Sequence, residues 1–112
     1  MKILNAFSLN MISGDIFLGA VNFQKISLED ARAFATGAES AVGHADTAAV
    51  FSAVLGHNVP MNRTTVTLKG GGTALVGQYK GPRLPEGATA LPEGAVIEWY
   101  WITVVGEEAF KG

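Results

Sequence analysis

The sequence predicts an α+β domain: a mixed β-sheet of about five strands with two main helices, in a single domain over residues 1–112. Three observations predict it. Strand-like apolar and β-branched stretches open and close the chain, two capped helical stretches lie between them, and strands do not alternate strictly with helices.

Residues 2–12 begin as an apolar run and turn polar at Asn5, Ser8 and Asn10, which reads as a buried strand followed by an irregular polar loop. Ser13-Gly14-Asp15 is a turn signal, and residues 16–24 read as a second strand. Ser27 is a good N-cap, and Glu29 and Asp30 suit the positive end of the helix dipole. That helix is expected to run to about Thr36 and stop at Gly37. Residues 40–42 read as a short strand or extended link.

A second helix is expected to start near His44 to Asp46 and end at Leu55, with Val50, Phe51, Val54 and Leu55 on its apolar face and Gly56 closing it. Residues 64–68 are β-branched, Gly70-Gly71-Gly72 is a turn, and residues 73–79 return, so the sequence predicts a hairpin here. The Pro/Gly-rich stretch 80–95 lacks periodicity and reads as a functional loop. Residues 95–105 form a last strand with Trp99 and Trp101 on one face and Tyr100 on the other. The tail after Gly106 is expected to fray.

Composition narrows the function. At 112 residues, with 48% apolar and 16% charged side chains, the chain has the balance of one ordinary globular core. It holds no cysteine, which excludes disulfides and thiolate metal sites and fits a reducing compartment. Asn5 interrupts the opening too early for a secretory leader, and no run approaches ~18 uncharged apolar residues. A cytoplasmic setting without a membrane partner is expected. The net charge of −2 argues against long nucleic acid, which needs a broad basic surface. A small anionic ligand needs only a few well-placed cations and backbone N–H groups.

His44 follows Gly43 at a strand-to-helix junction, where unpaired N–H groups and a positive partial charge attract phosphate. A histidine there can protonate a leaving oxygen or donate to a phosphate oxygen. It can equally cap the helix or pack under a loop. Asp46 reads as an N-cap, or as a carboxylate turned away from an anion to hold His44 or Arg63. The Thr47 hydroxyl can face a ligand. Arg63 and Arg83 offer guanidinium forks for phosphate oxygens, or simply form ion pairs, as Arg83 would with Glu86. Arg32 falls on a helix surface. Asn5, Ser8 and Asn10 can hold a ribose hydroxyl or base edge, or close local turns. There is no Gly-x-Gly-x-x-Gly, P-loop or HExxH motif. The two histidines and scattered carboxylates give no metal set, with His57 past the helix end and exposed. Ser8, His44 and Asp46 have no triad spacing. Trp99 and Trp101 read as core or subunit interface.

Taken in order, Leu4-Asn5-Ala6-Phe7-Ser8-Leu9-Asn10-Met11, Val42-Gly43-His44-Ala45-Asp46-Thr47, Leu55-Gly56, Asn62-Arg63 and Arg83-Leu84-Pro85-Glu86-Gly87 resemble the viral anti-CRISPR ring nuclease family over essentially the whole chain. The resemblance implies a two-fold homodimer that binds cyclic tetra-adenylate and cleaves it without metal or other cofactor, disarming type III CRISPR signalling. It implies His44 as catalytic residue and Asn5, Ser8 and Asn10 in the pocket. It also implies Arg63 as a buried phosphate contact, and Arg83 and Glu86 on a lid. A binding protein that sequesters the same signal uncut is the alternative. The chain departs from members that carry Asp-Ser between the histidine and the threonine, having Ala45-Asp46 there. Its loop also repeats Leu84-Pro85-Glu86-Gly87 as Leu91-Pro92-Glu93-Gly94.

Overall fold

A computed structural model describes residues 1–12 and 17–108. Five strands, β1 (Lys2–Leu4), β2 (Phe17–Ile26), β3 (Glu39–Ser40), β4 (Thr73–Lys80) and β5 (Val96–Glu108), and two helices, α1 (Leu28–Ala35) and α2 (Ala45–Leu55), form the expected α+β arrangement. The sheet order is β2-β5-β4-β1-β3. β1 lies parallel to both β3 and β4, whereas β5 is antiparallel to β4 and β2. The sheet is therefore mixed.

Local chemistry sets the helix ends. The Ser27 hydroxyl accepts from the Asp30 N–H at 3.1 Å and caps α1, and Gly37 follows its last turn at φ 78°. Gly56 closes α2 in the left-handed region at φ 70°. Arg32, on the exposed side of α1, donates through Nε and Nη2 to the Val54 carbonyl and stitches the two helices together.

Both helices cover one face of the sheet. There Phe51 of α2 and Trp99 of β5 meet with ring centroids 5.0 Å apart. Ile3, Leu75 and Leu55 belong to the same buried cluster. Gly77 of β4 makes that meeting possible, because a Cβ there would lie 2.5 Å from the Trp99 ring and 2.7 Å from that of Phe51. Trp99 is core, one of the two roles expected of it, and Trp101 stacks on the more exposed Phe34 with centroids 4.4 Å apart. The opposite face carries a second cluster of Leu4, Val76, Ile102 and Val104, covered by no helix of four or more residues among the described ones but by the loop segments that hold Val66 and Leu68 and that hold Phe7, Met11 and Ile12.

Two expectations are corrected. Residues 64–68 form no hairpin with β4. Both hydrogen-bonding edges of β4 are taken, one by β5 and the other by β1, so this β-branched stretch packs Val66 and Leu68 on the face of the sheet, and Leu68 forms an isolated bridge with Ile12 of the loop after β1. The tail does not fray at Gly106, because Gly106, Glu107 and Glu108 stay in register with Gly19, Leu18 and Phe17. The first strand gives way to a polar loop after Leu4, as expected, and within that loop Leu9–Met11 turns into a 3-10 helix capped by Ser8. The turn expected at 13–15 lies outside the described residues.

Candidate functional site

The parallel pairing of β3, β1 and β4 brings their carboxyl ends to one edge of the sheet, the edge at which open α/β sheets form ligand crevices. Three segments leave from that edge: residues 5–12 after β1, the junction 41–44 after β3, and the loop 81–95 after β4.

The junction is built around Gly43. Asn62 clamps it, with its N–H on the Val42 carbonyl at 2.8 Å and its side-chain amide on the Ser40 carbonyl at 2.8 Å. Arg63 then lies across Gly43 and donates to its carbonyl through Nη2 at 3.2 Å and Nε at 3.4 Å. The Asn62-Arg63 pair thus holds the strand-to-helix turn in place. Arg63 is exposed rather than buried, a difference from what the resemblance implies. Its Nη1 remains free of these bonds and can reach an anion beside the junction.

His44 occupies the N-cap position of α2, yet its side chain makes no capping bond. The capping alternative is thereby corrected for His44, and for Asp46 too, which lies inside the first turn. The exposed imidazole stands at the positive end of the helix, beside the free N–H groups of its first turn. Thr47, half-buried, follows in the same turn.

Asp46 holds neither His44 nor Arg63. Its Oδ1 accepts the N–H of Gly87 at 3.0 Å, from the loop after β4. Asp46, Arg83, Leu84, Pro85 and Glu86 together line a cleft of about 510 Å³. Arg83 and Glu86 are both exposed, and no ion pair joins them among the described residues. The structure therefore gathers His44, Asp46, Thr47, Arg63, Arg83 and Glu86 around the N-terminal end of α2.

The other three candidates are not part of that cleft's lining. Asn5 lines a separate cavity of about 280 Å³ on the face of the sheet away from the helices, with Phe7, Phe23, Val76, Gln78 and Tyr100 among its walls. The Ser8 hydroxyl accepts the Asn10 N–H at 3.3 Å, the local turn foreseen as its alternative role, and both residues are exposed. Gln78 and Tyr100 were not among the sequence candidates. Strand alternation puts each on one face of its own strand, but only the β4–β5 register brings the two together.

Charge at this end of the sheet is organised by Glu98 of β5. Lys25 of β2 and Lys80 of β4 flank it and pair with it, and their ammonium groups pull its carboxyl down to about 2. Lys25 is raised in turn by its bond to Glu98. Lys80 is the last residue before the loop 81–95, so this ion network sits where that loop departs. His57 is exposed, with its Nε2 3.3 Å from the Thr36 hydroxyl. Among the described residues no three His, Asp or Glu side chains converge as a metal-holding group. Nor does any helix among them have the length and apolarity to cross a membrane.

Fold and site together define a small α+β domain with an anion-compatible crevice at the carboxyl ends of its parallel strands. A sequence profile of the STIV B116-like family matches residues 1–98, and the chain belongs to that family. The solved structure of B116 of Sulfolobus turreted icosahedral virus (STIV) superposes on it with a TM-score of 0.74 at 24% identity, covering 91% of this chain and 97% of that one. At that identity the likeness shows a shared fold. No curated protein matches the sequence significantly.

Proposed function

We propose that the protein is a ring nuclease of viral origin that opens cyclic tetra-adenylate, yielding linear di-adenylate with 2′,3′-cyclic phosphate ends, and so blunts type III CRISPR immunity. The observation that carries this reading is the uncapped, exposed His44 at the start of α2, next to an Arg63 fastened to the same turn and under a loop bearing Arg83. Membership in a family named for a viral protein is consistent with it.

RNA carries its own nucleophile. A ribose 2′-hydroxyl gives up its proton to solvent and its oxygen bonds to the adjacent phosphorus, closing the 2′,3′-cyclic phosphate, while the bond from phosphorus to the 5′-oxygen breaks and that oxygen departs with a proton. The protein must align the attack, stabilise charge on the phosphorane and supply that proton. Alignment alone is worth several kcal/mol of barrier. Arg63 and the first-turn N–H groups of α2 stabilise the charge. His44 acts as general acid, a role worth ~10²–10⁴-fold in rate. None of these steps calls for a metal. Two copies related by a two-fold axis would present two His44 side chains to a four-fold ring, one for each of two cuts.

The test is to incubate the protein with cyclic tetra-adenylate in excess EDTA beside His44→Ala. Linear di-adenylate from the wild type, with at least ~100-fold slower conversion by the variant but retained binding, is the expected result. Equal turnover by the variant removes His44 from the chemistry. Tight binding of a ligand recovered intact from wild type means sequestration instead of cleavage.

A further inference from the structure

The loop 81–95 contains an internal control. Leu84-Pro85-Glu86-Gly87-Ala88 and Leu91-Pro92-Glu93-Gly94-Ala95 are the same five residue types. They fold alike. In each, the alanine N–H donates to the proline carbonyl, at 3.1 Å and 3.0 Å, and the glycine takes a positive φ, 79° and 82°. A left-handed conformation at that position favours glycine in both turns.

The turns differ in what holds them. The second ends on the buried Ala95, which enters β5 and packs so closely on Gly81 that a Cβ there would sit 2.7 Å from that of Ala95. The first is exposed at Pro85, Glu86 and Gly87 and half-buried at Leu84 and Ala88. Its one hydrogen bond to the body of the protein, among the described residues, runs from the Gly87 N–H to Asp46 Oδ1. Asp46 lies in the first turn of α2, where the helix dipole favours a carboxylate. The acceptor is thus rigid and charged, and it is 41 residues away in sequence.

We infer that Asp46 is a positioning residue, a latch that fastens the first Pro-Glu-Gly turn over the start of α2 and slows exchange of whatever anion binds there. The inference rests on the proposed nuclease reading only for the identity of that anion. It also gives the Ala45-Asp46 departure from the family pattern a role that needs no direct contact between carboxylate and ligand, where like charges would repel. While the latch is shut, Arg83 and Glu86 are carried to the edge of the same cleft.

Amide hydrogen exchange on the ligand-free protein tests the latch. Gly87 and Gly94 both follow a glutamate, so their intrinsic exchange rates match, and any difference reports structure. Gly87 is expected to exchange about three- to tenfold more slowly than Gly94 in the wild type. Asp46→Ala should abolish that difference. Asp46→Asn, which keeps an oxygen acceptor, should retain most of it. Equal rates in the wild type, or protection that survives Asp46→Ala, overturn the latch. The functional arm uses labelled cyclic tetra-adenylate in a His44→Ala background, where adding Asp46→Ala should speed ligand release about three- to tenfold while Asp46→Asn largely restores it. Unchanged release overturns the gating role. No binding by either protein counts against the nuclease reading and leaves the exchange result to judge the latch by itself.

Discussion

The two faces of the sheet are built from similar apolar residues and finished differently. On the helix side, Phe51, Leu55, Leu75 and Trp99 are almost wholly buried, because two helices seal them. On the other side, Val76 and Ile102 are buried, but Phe23 is 56% exposed and meets Phe7 edge-on, with centroids 5.7 Å apart, beside an open cavity. Apolar surface left in contact with water at an ordered aromatic pair adds little to folding. Such surface typically marks a place of association. The helix side is sealed, and the open side leaves apolar surface at Phe23 uncovered.

The largest effect should come from breaking the sealed face. Phe51→Ala removes the ring that fills the space above Gly77 and against Trp99, leaving a cavity that the surrounding β-strands cannot collapse into. A loss of about 3–5 kcal/mol is expected, read by urea denaturation. A loss under about 1 kcal/mol would mean that this face is less tightly packed than its geometry indicates.

On the open face, a substitution as drastic should barely touch folding. Phe23→Asp is expected to change stability by no more than about 0.5 kcal/mol. If this is the surface through which two copies meet, the same change should convert a wild-type dimer to monomer in sedimentation equilibrium. A variant that stays dimeric moves the two-fold contact elsewhere. A wild type that is monomeric at high concentration removes the dimer from the proposed mechanism.

The contrast also explains what was legible in the sequence. Features fixed by neighbouring residues could be read directly, such as Ser27 capping α1, Gly37 and Gly56 ending the helices, and the Gly43-His44 junction opening α2. Those fixed by distant partners could not. Residues 64–68 have the alternation of a strand, but β4 has no free edge to offer them, and that follows only from the sheet order. Asp46 reads as a cap because its nearest neighbours allow one, whereas its partner, Gly87, is supplied by closure of the loop. Asn5 lines the cavity on the open face, and a polar cluster in sequence carries no record of which face of the sheet it will occupy.

The smallest effect belongs to the polar end of the open face. Lys25 and Lys80 hold the Glu98 carboxyl at about 2, below the ordinary 4.5. A carboxyl depressed in the folded state binds its proton more weakly than in the unfolded chain. Its contribution to stability is therefore present above about pH 4.5 and is lost as pH falls from there toward 2. Glu98→Gln should lower stability at pH 6, and the gap from wild type should shrink steadily over that window. Because the network lies at the surface, added salt should narrow the gap at pH 6 as well. A gap that ignores both pH and salt would mean that Glu98 acts through packing and not through its charge.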